Sequence, residues 1–444
     1  MSVFSAPAPL KERLARGRAL RHKLKRVDLA LWSRPEGGPD PMAILHASNA
    51  GRVPRLVPLK MGRMQVSPFS YFRGSAPAMA ADLATQPVTG ITVQLCGDAH
   101  VRNLGAYAAP DGHLVFDLND FDEAVVGPWE WDLKRLATSI VLCGREAGLT
   151  DGRCSEAVQE MALYYREAMA DYARMHVLEL ARFEIRRELG ARPVRTILQK
   201  AQRSTPLRVL EKLTLRGPRG LPRFHDQPPV LEHVPAGVAQ AVLHSLKMYR
   251  ETLTAGRQLI FDAYHPMDVA FKVVGTGSVG TRDYIVLLFG NGLEDPLFLQ
   301  VKEALPSCYE TYLPEVEPIH CGQRVAQAQQ RCQTVSDPFL GWTTLEDRHY
   351  LVRQLSDHKA AIDTADLQGP ALAVYSHVCG ETLAKAHART GDSAALAGYC
   401  GTASKLDGAL AKFALLYADQ TEKDFATFRK EIRAGRIKAE KISA

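Results

Sequence analysis

Apolar and polar residues alternate over Ile91-Thr92-Val93-Gln94-Leu95, the two-residue period that predicts a strand with one face buried. Leu114-Val115-Phe116 predicts another strand, and the turn Pro110-Asp111-Gly112 lies between the two. Farther along, Phe271-Lys272-Val273-Val274, Tyr284 to Phe289 and Leu297 to Val301 read as three successive strands, the last two joined by the turn Asn291-Gly292. Tyr350 to Leu355 alternates like one more. Apolar residues recur at helical spacing over Ser155–Leu189, Gly369–Ala388 and Ser393–Ala418, and a short helix is expected at Ala76–Leu83. Met61 to Gly74, with its Pro and Gly breaks, reads as an ordered loop leading into that helix. The Pro- and Gly-rich stretch Arg216–Pro235 suits a passage between structural units or a hairpin. These runs predict an α+β chain of two units, one mainly helical and one rich in strands.

The chain of 444 residues is 46% hydrophobic, enough to bury a large core. No apolar segment has membrane-spanning length and no charged-then-apolar leader is evident, so a cytoplasmic protein without membrane insertion is expected. Eight cysteines occur without C-x-x-C pairs, which favours reduced, packed thiols over a zinc module. The net charge of +6 is uneven: between Lys11 and Arg63 thirteen basic residues face four acidic ones. This arm offers a surface for nucleic acid, but aromatic interleaving is missing, and a basic helix lying against the body is the preferred reading. The expected organisation is an arm (1–60), a helical region with the acidic motifs (61–235), a β-rich region (236–360) and a C-terminal helical region (361–444).

The chemistry concentrates in two places. The strand ending at Leu95 runs into Cys96-Gly97-Asp98-Ala99-His100-Val101-Arg102-Asn103, and the strand ending at Phe116 runs into Asp117-Leu118-Asn119-Asp120-Phe121-Asp122. Asp98 is placed to take a proton from an attacking hydroxyl, with His100 beside it as a second catalytic candidate or a brace for the loop. Asn103, Asp120 and Asp122 offer hard oxygen ligands of the kind Mg2+ selects. Downstream, Gly275-Thr276-Gly277-Ser278-Val279-Gly280 is a G-x-G-x-x-G loop between two strands, so its amides would cover phosphates from a hairpin; the dinucleotide fingerprint opens a helix instead. Lys302 closes the third strand of that group. Arg63 and Arg73 would clamp phosphates or an anionic acceptor, or else pin their loop to Asp132 or Glu130.

Gly97-Asp98-Ala99-His100 with Asn103, then Asp120-Phe121, then Gly127 to Asp132-Leu133 resemble the ordered motifs of the protein-kinase-like superfamily, closest to its aminoglycoside phosphotransferase and choline kinase branch. The resemblance implies a two-lobed fold that binds ATP with Mg2+, with Asp98 as base, Asn103 and Asp120 as metal ligands, Gly275, Gly277, Ser278 and Gly280 over the phosphates and Lys302 as their clamp. The motif order is inverted, which implies a circular permutation. With Ser67 to Gly74 upstream and Tyr350 to Lys359 downstream, the chain from about Arg52 to Asp419 resembles the bacterial family called domain of unknown function 2252. One feature expected of kinases is missing: Gly322 to Arg331, the counterpart of the helix that pairs with the strand lysine, holds glutamines and no carboxylate. Glu303, Glu310, Glu315, Glu317 or Gln327 would have to serve. The expected activity is therefore phosphoryl transfer, or nucleotidyl transfer, to an unspecified small-molecule or protein acceptor. The alternatives are a non-catalytic nucleotide sensor and a metal-dependent hydrolase built on Asp98, His100, Asp120 and Asp122.

Overall fold

The computed structural model describes residues 7–185, 191–217, 220–315, 317–355 and 359–441. It begins with helices α1 (Leu10–Ala19), α2 (Pro41–Ala47), α3 (Val57–Met64), α4 (Pro68–Gly74) and α5 (Ala76–Ala84). Strands β1 (Thr92–Leu95), β2 (Leu104–Ala108), β3 (Leu114–Leu118) and β4 (Val125–Pro128) follow, then α6 (Trp129–Glu146), α7 (Asp151–Tyr172), α8 (Val177–Arg182), α9 (Arg192–Gln202) and α10 (Pro206–Leu213). The middle of the chain holds β5 (Thr214–Arg216), β6 (Pro222–Phe224), β7 (Leu231–His233), α11 (Ala236–Glu251), α12 (Ala255–Asp262), β8 (His265–Lys272), β9 (Asp283–Phe289) and β10 (Pro296–Glu303). It ends with α13 (Cys321–Cys332), β11 (Gly341–Leu345), β12 (Arg348–Gln354), β13 (Ala360–Ala361), α14 (Ala371–Thr390), α15 (Ser393–Cys400) and α16 (Lys405–Arg433). The chain is α+β, as its sequence pattern predicts.

An antiparallel sheet of six strands, ordered β11-β12-β10-β9-β8-β7, carries the glycine loop between β8 and β9. Its central strands β9 and β10 are buried along their whole length, which explains why they read as continuous apolar runs. Successive residues still point to opposite faces: Val286 and Leu288 join a core with Val242, Leu246 and Tyr249 of α11, whereas Ile285 and Leu287 face Leu213 and Phe224. The Arg216–Pro235 stretch supplies β6, which pairs antiparallel with β5, and the edge strand β7.

The larger core gathers α6, α7, α14, α15 and α16 around residues such as Trp129, which stacks on Tyr165 at 5.8 Å between ring centres. Two small sheets, β1-β4 and β13-β2-β3, hold the acidic motifs against this core. Helix α13 packs on β11 and β12 of the large sheet and also on α14 and β1, so it joins the two regions.

Three helical expectations are corrected. Met61–Gly74 forms α3 and α4 instead of a loop, because Pro58 and Pro68 occupy first-turn positions and Ser67 Oγ accepts from the Ser70 amide at 3.1 Å. The periodic run from Ser155 stops at Tyr172 and restarts after His176, where Glu179 caps α8; of its last residues, 186–189 lie outside the described ones. The run from Ser393 breaks at Gly401, whose φ of +65° ends α15.

The basic arm lies on the body. Arg13 pairs with Asp392 at 2.7 Å, and Arg21 and Arg26 donate to the Tyr399 and Cys400 carbonyls at the end of α15 (3.0 and 2.6 Å), where cations offset the helix dipole. No described helix is long and apolar enough to cross a membrane.

Candidate functional site

The tight turn after β1 depends on Gly97, at φ +83°: a Cβ there would collide with the Glu123 carbonyl, so only glycine lets the two acidic loops meet. From the start of α6, Asp132 accepts from the Cys96 and Gly97 amides at 2.8 and 3.0 Å. Arginines are not pinned to Asp132 or Glu130: Glu130 accepts from the Thr89 amide at 2.7 Å, and Arg63 instead donates to the Gly275 carbonyl.

The loop held in this way presents Asp98. Its carboxylate accepts from Arg135 Nε at 2.6 Å, and its side chain stays 20% exposed toward the cleft. Burial pushes the Asp98 carboxyl up to about 6, against the lowering pull of the Arg135 guanidinium. Asn103 donates from Nδ2 to the Asp98 carbonyl at 2.7 Å, which fixes its amide and leaves Oδ1 as its acceptor end. His100 is 2% exposed, and its Nδ1 accepts from the Arg102 amide at 3.2 Å. Burial and the surrounding arginines pull its imidazole well below the ordinary range, so it stays neutral and braces the loop. Its Nε2 lies 3.7 Å from Asp98 Oδ2.

Residues some 180 positions away close the cleft from above. Gly275, Gly277 and Ser278 line the same cavity as Asp98, Asn103 and Asp120. A Cβ at Gly277 would approach the Arg73 carbonyl oxygen to 3.4 Å, and Arg52 Nη1 donates to the Val279 carbonyl at 2.7 Å. Gly280 is at φ +93°, and its carbonyl accepts from the Val53 amide at 2.7 Å. The loop is thus fastened to the segment just before α3.

Lys302, 3% exposed on β10, forms an ion pair with Asp122. Burial works against both charges, yet each partner shifts the other toward its ionised form: the Asp122 carboxyl lies below its usual range and the Lys302 ammonium above. The carboxylate missing from α13 is supplied by the acidic loop itself. None of the expected substitutes reaches Lys302: Gln327 bonds Arg331 at 3.4 Å, Glu303 pairs with Arg348 at 2.7 Å and Glu310 with Arg324 at 3.3 Å. Arg324 of α13 grips the Asp122 and Leu305 carbonyls at 2.8 and 2.7 Å, so this helix positions the acidic loop through its backbone.

For a divalent cation the donors present are Asn103 Oδ1 and the Asp120 carboxylate, with Asp122 engaged by Lys302. Two such oxygens suit Mg2+, which keeps several waters and takes its remaining ligands from phosphates. Among the described residues no three His, Cys, Asp or Glu side chains gather as a metal site. Of the other motif residues, Arg353 lies over Gln300 at 2.9 Å, and Asp357 lies outside the described residues.

Sequence reasoning missed four residues here. Lys60, Arg52 and Ser48 line the cleft although they belong to the stretch assigned to the arm. Asp283 is opposite Lys302 in the β9–β10 register and is fully buried; Gln300 Nε2 donates to its Oδ2 at 2.7 Å, while Oδ1 has no hydrogen-bond partner. Burial pushes its carboxyl up to about 7. An acid raised in this way favours the fold below its unfolded value of about 3.9, and that contribution is lost as pH rises through about 7. Asp283→Asn should therefore raise Tm by roughly 3 °C or more at pH 8 and leave it unchanged at pH 4, read by thermal denaturation across pH.

Comparison with curated proteins and with solved structures yields no match. Residues 52–431 match the family described as "Uncharacterized protein conserved in bacteria (DUF2252)". That match begins at Arg52, the first cation of the cleft, and spans the acidic loops, the glycine loop and the helices behind them. The chain belongs to the DUF2252 family.

Proposed function

We propose that this protein is an ATP- and Mg2+-dependent phosphotransferase with a two-lobed, circularly permuted kinase-like fold. The observation that carries the reading is the shared cleft: Asp98, Asn103 and Asp120 line one side of it and the glycine loop the other, from segments some 180 residues apart. In this reading Asp98 takes the proton of the acceptor hydroxyl, and Arg135 keeps it ionised near neutral pH. Asn103 and Asp120 hold Mg2+, which neutralises charge on the transferring phosphate. Lys302 stands behind Asp122, which lines the cleft, and would add its charge toward the phosphates from there, while the loop from Gly275 to Gly280 covers them with backbone amides. Because phosphoryl transfer depends mainly on positioning and electrostatics, a cleft of fixed charges is sufficient machinery.

The hydrolase alternative is weaker, because Asp122 is committed to Lys302 and His100 to its own loop. A nucleotide sensor differs from the enzyme in one respect: it binds ATP without turnover. Release of ADP from ATP on addition of candidate acceptors, with Asp98→Asn as control, separates the two.

A further inference from the structure

The roof and rear wall of the cleft carry three cations that form no ion pair among the described residues. Lys60, on α3, is 1% exposed; its ammonium donates only to Asn49 Oδ1 at 3.0 Å and Ser48 Oγ at 3.4 Å, both neutral. Arg52 donates to the Ser48 and Val279 carbonyls at 3.0 and 2.7 Å. Arg73, at the end of α4, has a buried Nε without a hydrogen-bond partner. Among the described residues none of the three forms an ion pair, although all line the same cavity. Of the acids that line the cavity, Asp98 pairs with Arg135, Asp122 with Lys302 and Glu303 with Arg348; Asp120 and Glu123 line it as well, and among the described residues neither forms an ion pair with these three cations.

Leaving a buried ammonium with neutral partners only, beside a second cation, is costly. Burial and then Arg52 depress Lys60 well below the ordinary lysine range against the raising pull of Glu123, and burial with Arg102 pulls Arg73 down to about 10 against Asp98 and Asp120. A monoanionic carboxylate would offset one of three charges. A phosphate carries nearly two, and its several oxygens match two forked guanidiniums and an ammonium.

We propose that Arg52, Lys60 and Arg73 form a phosphoanion subsite, distinct from Lys302, beneath the far end of the glycine loop. The subsite rests on the cleft's geometry; its place in phosphoryl transfer rests on the function proposed above. Two sources supply this chemistry: the tail of the nucleotide, or a phosphate borne by the acceptor.

The test is titration of the full chain with inorganic phosphate, pyrophosphate, adenosine and Mg-ATP, for wild type, Lys60→Met and Arg73→Gln, with circular dichroism to confirm folding. Lys60→Met removes the deepest cation, and Arg73→Gln serves if that variant does not fold. Phosphate or pyrophosphate is expected to bind wild type, and the variants to bind it at least about tenfold more weakly, the loss of one charge-assisted contact. If Mg-ATP weakens in parallel while adenosine does not, the subsite serves the nucleotide tail. If Mg-ATP affinity is unchanged and phosphate binding to the nucleotide-saturated protein is lost, it serves the acceptor. Phosphoanion binding that the variants leave intact, or no phosphoanion binding to wild type, overturns the proposal. Turnover is not part of the readout, so a failed phosphotransferase reading with intact phosphate binding is recognised separately.

Discussion

Asp98→Asn is expected to lower kcat for phosphoryl transfer by about 10²- to 10⁴-fold, the range for loss of a positioned general base, while Mg-ATP affinity stays within a few-fold. The side chain touches neither Asn103 Oδ1 nor Asp120, and its loop is held independently by Asp132. The acid limb of kcat/KM should report the same group: activity rises as pH passes through about 6, where Asp98 ionises, and is flat above. The substitution also removes the counter-charge of Arg135, whose side chain is fully buried, so a lower Tm is expected and assays belong well below it. Equal kcat in the two proteins would remove Asp98 from the chemistry.

Asp122→Ala should be strongly destabilising. It strands the Lys302 ammonium, 3% exposed, without its ion-pair partner, and breaking a buried pair from one side costs about 3 to 5 kcal/mol. The low end applies because the Asp122 side chain is 32% exposed. The double variant Lys302→Met with Asp122→Asn removes both charges and should recover most of that loss. It should nevertheless bind Mg-ATP at least about tenfold more weakly than wild type, if Lys302 is the phosphate clamp proposed above. Urea denaturation of the two variants beside wild type measures the first effect and calorimetric titration the second. An unchanged stability for Asp122→Ala would mean that Asp283, across the sheet from Lys302, already satisfies it.

The strands were legible in the sequence because the period of two survives wherever one face is buried, and because β9 and β10, buried on both faces, leave unmistakable apolar runs. Asp98 and Asp120 were legible because each stands a short distance beyond a strand end, and Asn103 because it immediately precedes the next strand. Helices α3 and α4 were misread because proline and serine mark both loops and helix starts, and only the cap bond to Ser70 decides between them. The breaks at 173–176 and Gly401 were invisible to periodicity, which a short interruption barely disturbs. Lys60 gave no signal at all: a lysine among apolar residues looks like one that reaches solvent, and its burial follows from the packing of α3 under the glycine loop. The partner of Lys302 was sought on α13 by resemblance, whereas a non-local contact put Asp122 there. Such contacts depend on how the large sheet sits over the acidic loops, which no local pattern encodes.

Isothermal titration of Mg-ATP into wild type, Asp120→Ala and Gly277→Val tests most directly whether the acidic loop and the glycine loop form one nucleotide site. The account predicts magnesium-dependent binding to wild type, with affinity reduced by roughly tenfold or more in both variants, each of which remains folded. Absence of ATP binding to folded wild type, or binding that ignores both substitutions, would contradict it.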